Sequence, residues 1–347
     1  MDNAARHDGS LLKAPAQEDM IALSPDFGTR FMLFVDTEEE FDWNAPFSRT
    51  GHGVTVLDGM ARAQAWFAAA GIAPVYVTDW PVLENDAAAA MMGQWIADGT
   101  AEIGAHLHPW VTPPHVEVVN APNSYVGSLP EALERAKLTA LRDRIAERFG
   151  VPPRAYRAGR YGVGPNSARL LEELGFLLDS SVRPRFDYSG QYGPDFSGMP
   201  LHPWRAGPGR GVIELPLSTA FTGLLRGAGE RLFRAGQAMG PLGGAMARAH
   251  MLSRVPLTPE GVPLADAIQA IDALIEEGVP VLNFSFHSPT LGIGHTPYVR
   301  DAGDVEQFYA WWGRVAEHLA RRGVLPASLD MFLKAATFDV GKACQAA

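Results

Sequence analysis

The chain has 347 residues and a mass of 37.4 kDa, with 47% hydrophobic and 20% charged residues, a composition that excludes disorder over most of its length. Lysine and arginine number 29 against 39 acidic residues, a formal charge of −10, which places a nucleic-acid binder at a disadvantage because that function needs a basic footprint. One cysteine, Cys344, rules out an internal disulfide framework and a cysteine-based zinc site.

Residues 1–28 are polar and aperiodic and read as a flexible N-terminal arm. They lack the apolar core and small-residue cleavage site of a secretory signal. No run of 18 apolar residues occurs, so no transmembrane segment is expected, and the expected location is the cytoplasm. Phe31 to Val35 is a short continuous apolar run ending in acids, which suits a buried parallel strand. A helix over 58–70 stops at Gly71, and a strand over 74–78, a helix over 85–97 and a strand over 102–105 follow. The longest predicted helix, 129–149, has Pro130 near its start and Gly150 at its close. Beyond it come a helix over 167–174 and strands over 176–179 and 212–217. A helix over 264–277, a strand over 279–286, a helix over 305–321 and a short strand over 324–329 complete the series. The expected organisation is one domain over 29–335 and a tail over 336–347.

Strands alternating with helices at this spacing predict an α/β fold with a parallel sheet, and both an open doubly wound sheet and a closed barrel fit. Residues 219–260 break the rhythm. They are rich in Gly, Ala, Leu and Met and carry five arginines against Glu230 and Glu260, a local charge of about +3. The segment reads as a helical insertion packed on the barrel, or as a lid or docking surface for an anionic substrate or membrane face.

Chemistry in parallel α/β folds gathers at the C-terminal ends of strands. Those ends read Asp36-Thr37-Glu38-Glu39-Glu40, His106-Leu107-His108, Arg157-Ala158-Gly159-Arg160-Tyr161, Asp179-Ser180-Ser181 and His287-Ser288. Carboxylates and imidazoles thus arrive from several strands, the donor set of a hydrolytic metal centre if the ends converge. Asp36 and Glu38 are two residues apart, as are His106 and His108. In extended backbone each pair points one way, so that one carboxylate could bind metal while the other acts as base. The alternatives are a solvated acidic loop and satisfied core histidines; Phe41 and Trp43, directly after the acids, favour a pocket wall.

The ordered motifs VDTEEEFDW (35–43), EIGAHLHPW (102–110), YRAGRYG (156–162), LLDSSVRP (177–184) and FSFHSPTL (284–291) resemble those of the polysaccharide deacetylases, the NodB-homology group, and most closely the WalW-like branch. The resemblance spans about residues 30–330. It implies a distorted (β/α) barrel of about seven parallel strands and a metal-dependent hydrolase of N-acyl, sometimes O-acyl, groups on sugars. It further implies Asp36 as catalytic base, Arg157 as the residue holding that base, and the backbone amide near Tyr161 facing the oxyanion. Asp179 would support the acid His287. Glu38, His106 and His108 would hold a divalent transition metal, with zinc first and cobalt or nickel as alternatives.

Two departures from the family pattern stand out. Thr37 replaces the second of two adjacent aspartates, which moves the ligand to Glu38 or beyond. The histidines are two apart rather than four, with Trp110 at the fourth position, so His108 from another backbone angle, His115, and weakened metal binding all remain open. The expected partner is a carbohydrate, anionic or lipid-linked among the options, with no nucleic acid and with a homo-oligomer open. Rival readings are a hydrolase of a non-sugar amide or imide and a non-catalytic carbohydrate-binding barrel. Trp43, Trp80, Trp110 and Trp204 are candidates for sugar stacking or for packing. Arg160 is a candidate for a substrate phosphate or carboxylate, or for a surface ion pair. His202 is a candidate for lining the site or for a loop histidine, and His250 and His295 have no role.

Overall fold

The structure is a computed structural model that describes residues 9–42, 45–229, 232 and 251–337. Its frame follows from alternation within strands. In β1 (Arg30–Thr37), Phe31, Leu33 and Val35 join the core beneath the helices, whereas Met32 and Phe34 join a second core on the other face. Asp36 continues the second series, so its carboxylate points to the inner side of the sheet.

The elements run in chain order as α1 (Leu57–Ala69), β2 (Val75–Thr78), α2 (Trp80–Glu84), α3 (Asp86–Ala97) and β3 (Glu102–Leu107), then α4 (Glu131–Phe149), β4 (Ala155–Ala158), α5 (Ser167–Glu173) and β5 (Leu178–Asp179). Short strands β6 (Trp204–Ala206), β7 (Val212–Glu214), β8 (Thr219–Thr222) and β9 (Ser253–Pro256) follow. The chain then forms α6 (Leu264–Glu276), β10 (Val281–His287), α7 (Ala302–Arg321), β11 (Leu325–Pro326) and α8 (Leu329–Ala336). Local signals account for several boundaries. Asp79 caps α2 by accepting from the Val82 amide at 3.1 Å, Asn85 caps α3 through the Ala88 amide at 3.0 Å, and α4 ends at Gly150 with φ 71°.

The main sheet orders its strands β10–β1–β2–β3–β4–β5–β7–β6, with β11 beside β1. It is a mixed α/β fold whose parallel sheet curls into a half-barrel. The sheet has nine strands among the described residues, against the expected seven or so. The difference is β6, a three-residue strand antiparallel to β7, and β11, two residues long; neither is long enough to show a sequence period. Across the gap between β7 and β10, Asn283 Nδ2 donates to the carbonyls of Leu215 (3.2 Å) and Pro216 (3.1 Å), and the Ser218 amide donates to the Asn283 carbonyl.

Three expectations change. The arm is not loose from Gly9 onward: Leu11 and Phe27 are buried, the Ile21 amide donates to the Pro203 carbonyl, and Asp19 pairs with Arg210 at 2.7 Å. A few apolar anchors in a polar stretch suffice for this, and an average over the stretch hides them. Residues 1–8 lie outside the described residues. The ends of the 219–260 segment are not helical but form the antiparallel ribbon β8–β9, while 230, 231 and 233–250 lie outside the described residues. At the other terminus the expected tail begins inside α8, whose Phe332 and Leu333 pack with Met32 and Phe34; residues 338–347 are not described.

Candidate active site

Strand register assembles the centre. Asp36 of β1 lies beside His287 of β10, and His106 of β3 lies beside Arg157 of β4. In β3 the residues Ile103, Ala105 and Leu107 pack outward, so Gly104 and His106 face inward. Arg157 is fully buried there, with its guanidinium 4.8 Å from the Phe34 ring centroid. It donates from Nη1 to Asp36 Oδ1 at 2.6 Å, from Nε to the Ser180 carbonyl at 2.8 Å and from Nη2 to Ser180 Oγ at 2.9 Å.

The acidic run after β1 is not a solvated loop, since Asp36, Glu38, Glu39 and Glu40 are all at most 7% exposed. Each acid has its own partners. Glu38 Oε2 lies 3.3 Å from His106 Nε2 and 3.4 Å from His108 Nε2. Glu39 holds His108 Nδ1 at 2.8 Å and Trp110 Nε1 at 2.8 Å, and its own amide donates to Asp79 at 2.8 Å. Glu40 accepts from the Val56 amide and from Thr55 and so fastens the loop that follows.

Glu38, His106 and His108 bring one donor atom each within 4.8 Å of one another. The Arg157 carbonyl, 3.0 Å from His106 Nδ1, can only accept, which places the proton on Nδ1 and leaves the Nε2 lone pair facing Glu38. Glu39 does the same for His108. Burial lowers the pKa of both imidazoles, His108 to about 4, so both are neutral at neutral pH. The same burial raises Glu38. One buried carboxylate and two neutral imidazoles with oriented second nitrogens fit a divalent transition metal. Glu39, Asp79 and His108 also converge, but through the His108 nitrogen that carries a proton to Glu39. There burial lifts Glu39 to about 7 and holds Asp79 well above its ordinary range. The unusual two-residue spacing of the histidines works because His108 lies beyond the end of β3 and stacks on Trp110 at 4.3 Å. A Cβ at Gly159 would collide with the His108 ring, so glycine there makes room for it. His115 is exposed and stands outside this cluster.

The acid–base residues also have partners. Burial pushes Asp36 up, but Arg157, His106 and His287 outweigh it and hold the carboxyl below its usual value. His287 Nε2 lies 3.8 Å from Asp36 Oδ2, while its Nδ1 lies 2.8 Å from Glu260 Oε2. Burial pulls His287 down, yet Glu260, Glu38 and Asp36 together raise it to about 10. It is therefore a charged imidazolium beside an ionised carboxylate.

The carboxylate that supports His287 is thus Glu260, and the expected pairing with Asp179 is corrected. Leu178 belongs to the inner core, so its neighbour Asp179 points to the opposite, helix-covered face. Register sets Asp179 beside Glu214, and Asp179 Oδ1 accepts from Ser181 Oγ at 2.5 Å. Burial raises Asp179 to about 6, and burial together with the neighbouring Asp179 raises Glu214 well above its ordinary value. Sequence reasoning missed Glu260, Glu39, Asp79 and Glu214. Only Glu39 carried a signal, as a member of the acidic run.

A cavity of about 400 Å³ opens above these groups. Phe41, Phe47, Trp110, Tyr125, Tyr161 and Tyr188 line it together with Arg160 and Arg183. Arg160 and Tyr161 adopt φ of 56° and 59°, a left-handed turn after β4 that brings both residues to the wall. Trp110 reaches the cavity, whereas Trp204 is core packing and Trp43 lies outside the described residues.

No protein-family profile matches the chain, and no curated protein matches it. The chain is similar to several solved structures at low identity. A candidate polysaccharide deacetylase from Mycobacterium smegmatis is 18% identical over 92% of this chain and 98% of its own, with a TM-score of 0.46. A family 4 carbohydrate esterase from Streptomyces lividans, in complex with acetate, is 10% identical over 89% and 95%, with a TM-score of 0.41. A CE4 family pseudoenzyme from Bacillus anthracis is 8% identical over 88% and 66%, with a TM-score of 0.43.

Proposed function

We propose that the chain is a metal-dependent hydrolase that removes an N-acetyl or other acyl group from an amino sugar, allied to the polysaccharide deacetylases and to their WalW-like branch. The observation that carries this reading is the ion-pair geometry at the cavity floor. An ionised Asp36 and a charged His287 face each other 3.8 Å apart, each tied from behind, beside three convergent donor groups. A non-catalytic binding barrel has no use for a tethered base opposite a tethered acid.

Glu38, His106 and His108 would hold the metal, zinc first, with cobalt or nickel as alternatives; when bound it lowers the pKa of water and polarises an acyl oxygen. Asp36 takes the proton of the attacking water on Oδ2, since Arg157 occupies Oδ1. As the water oxygen bonds to the acyl carbon, the Tyr161 amide donates to the developing oxyanion. His287 then gives its Nε2 proton to the nitrogen as the carbon–nitrogen bond breaks, so the amine leaves neutral. Glu260 keeps that proton in place until then. Asp179 serves the packing of the barrel wall rather than the proton transfer.

The test is acetate release from N-acetylated oligosaccharides with and without chelator. Activity that chelator abolishes and metal restores supports the proposal. Asp36→Asn should abolish turnover while leaving metal content intact, and full activity in that variant would overturn the assignment of the base.

A further inference from the structure

The cavity lining also carries two guanidinium groups that the proposed hydrolysis does not use, those of Arg160 and Arg183. Arg160 donates to Ser124 Oγ and lies over the rings of Tyr125 at 4.1 Å and Phe47 at 5.1 Å. Arg183 donates to Tyr188 Oη at 2.9 Å and lies over Phe186 at 4.1 Å and Tyr161 at 5.0 Å. Its Nε is buried without a hydrogen-bond partner. Among the described residues neither guanidinium has a carboxylate within 4.0 Å. Several arginines elsewhere in this acidic chain do find one: Arg62 pairs with Glu306, Arg144 with Glu84, Arg154 with Glu102.

The carboxylates that share the cavity are already engaged. Asp36 is held by Arg157, Glu38 faces the two imidazoles, and Glu260 bonds to His287 and Thr290. Two guanidinium groups are therefore held over aromatic rings, each spending one donor on a hydroxyl. A guanidinium presents five N–H groups in a rigid fork that matches carboxylate and phosphate oxygens. Fixing the planes in advance lowers the ordering cost of binding such a group.

From this arrangement we infer that the substrate carries an anionic group, a carboxylate or a phosphate, which Arg160 and Arg183 receive while the acyl nitrogen lies at Asp36 and His287. The inference deepens the proposed function and rests on it for the position of the sugar. Its recognition step is nevertheless measurable without turnover.

The experiment is calorimetric titration of the full chain with three probes: N-acetylglucosamine, N-acetylmuramic acid, which adds a carboxylate, and N-acetylglucosamine 6-phosphate. At least one charged probe should bind tenfold or more tightly than the neutral sugar, and the advantage should shrink as salt is raised. The arm that gains distinguishes carboxylate from phosphate. Arg160→Gln and Arg183→Gln should each remove most of that advantage and leave the neutral sugar within twofold. Arg160→Lys and Arg183→Lys keep the charge, and should retain a salt-sensitive part of the preference even if the glutamine variants fold poorly. Equal binding of charged and neutral probes, no binding of any probe, or equal losses for both in the glutamine variants would contradict the inference. A charged-probe preference without acetate release would leave it standing and defeat the hydrolase reading instead.

Discussion

Replacing Glu260 by glutamine isolates the charge that holds the proton on His287. Glutamine retains an acceptor for the His287 amide, now at 3.0 Å, and for Thr290, so the loop keeps its bonds while the imidazolium loses its counter-ion. A hydrogen bond to a charged group contributes about 1.5–3 kcal/mol, and 1.36 kcal/mol corresponds to one pKa unit. The loss should therefore lower the pKa of His287 by about one to two units from its position near 10. A bound dication lowers the starting point in parent and variant alike, so the difference between them is the quantity predicted. The assay is the pH profile of kcat for acetate release, paired with an NMR titration of the imidazole. The alkaline limb should move down by that amount in Glu260→Gln, and turnover above it should fall by about 10²-fold or more, as expected for loss of a general acid. Because the folded-state pKa of His287 lies above its ordinary 6.5, its contribution to stability is complete below 6.5 and is lost as pH rises through about 10. In the variant that loss begins at lower pH. Asp179→Asn is the control and should leave the alkaline limb in place. An unmoved limb in Glu260→Gln, or a shifted one in Asp179→Asn, would show that Glu260 is not the carboxylate that holds the proton on His287.

Arg157→Met leaves Asp36 buried without its cation. It should destabilise the fold by about 3–5 kcal/mol by denaturant titration. The acid limb of the rate profile should also move to higher pH, since Arg157 is the foremost of the charges that hold the Asp36 carboxyl below its ordinary value. Glu39→Gln keeps the three candidate ligands but weakens the hold on His108 Nδ1, and competition with a chelating dye should show metal affinity falling by about 10–100-fold. Lys137→Met should lower the melting temperature, because Nζ donates to the carbonyls of Pro109, Thr112 and Pro114 and pairs with the buried Glu117 at 3.1 Å. Breaking such a pair costs about 3–5 kcal/mol, and a melting curve unchanged from the parent would show that the loop is held by other contacts.

Where strands are long, the sequence discloses which way side chains face. Eight residues of β1 alternate cleanly enough that Phe31, Leu33 and Val35 mark one face and Asp36 the other. The same reading carries His106 in β3 and His287 in β10 to the inner side. It fails at β5, which has two residues, too few to show a period, and Asp179 therefore looks equivalent to Asp36 although it faces the helices. Glu260 was illegible for another reason. It stands 27 residues before His287, in a loop after the ribbon β8–β9, and only the folded path brings it to Nδ1. The division of labour along Asp36 to Glu40 was also hidden, because each role depends on a distant partner: Arg157, the two histidines, Trp110 or Thr55. The packed N-terminal segment escaped notice because Leu11 and Phe27 are single anchors rather than a pattern.

The proposed hydrolysis requires three side chains, Glu38, His106 and His108, to gather about one cation. Anomalous diffraction from crystals of the full chain grown with zinc would locate that ion directly. The expected result is a single strong peak about 2.0–2.2 Å from a Glu38 oxygen and from Nε2 of both His106 and His108. An ion seated instead among Glu39, Asp79 and His108, or no peak at this cluster at saturating zinc, would contradict it.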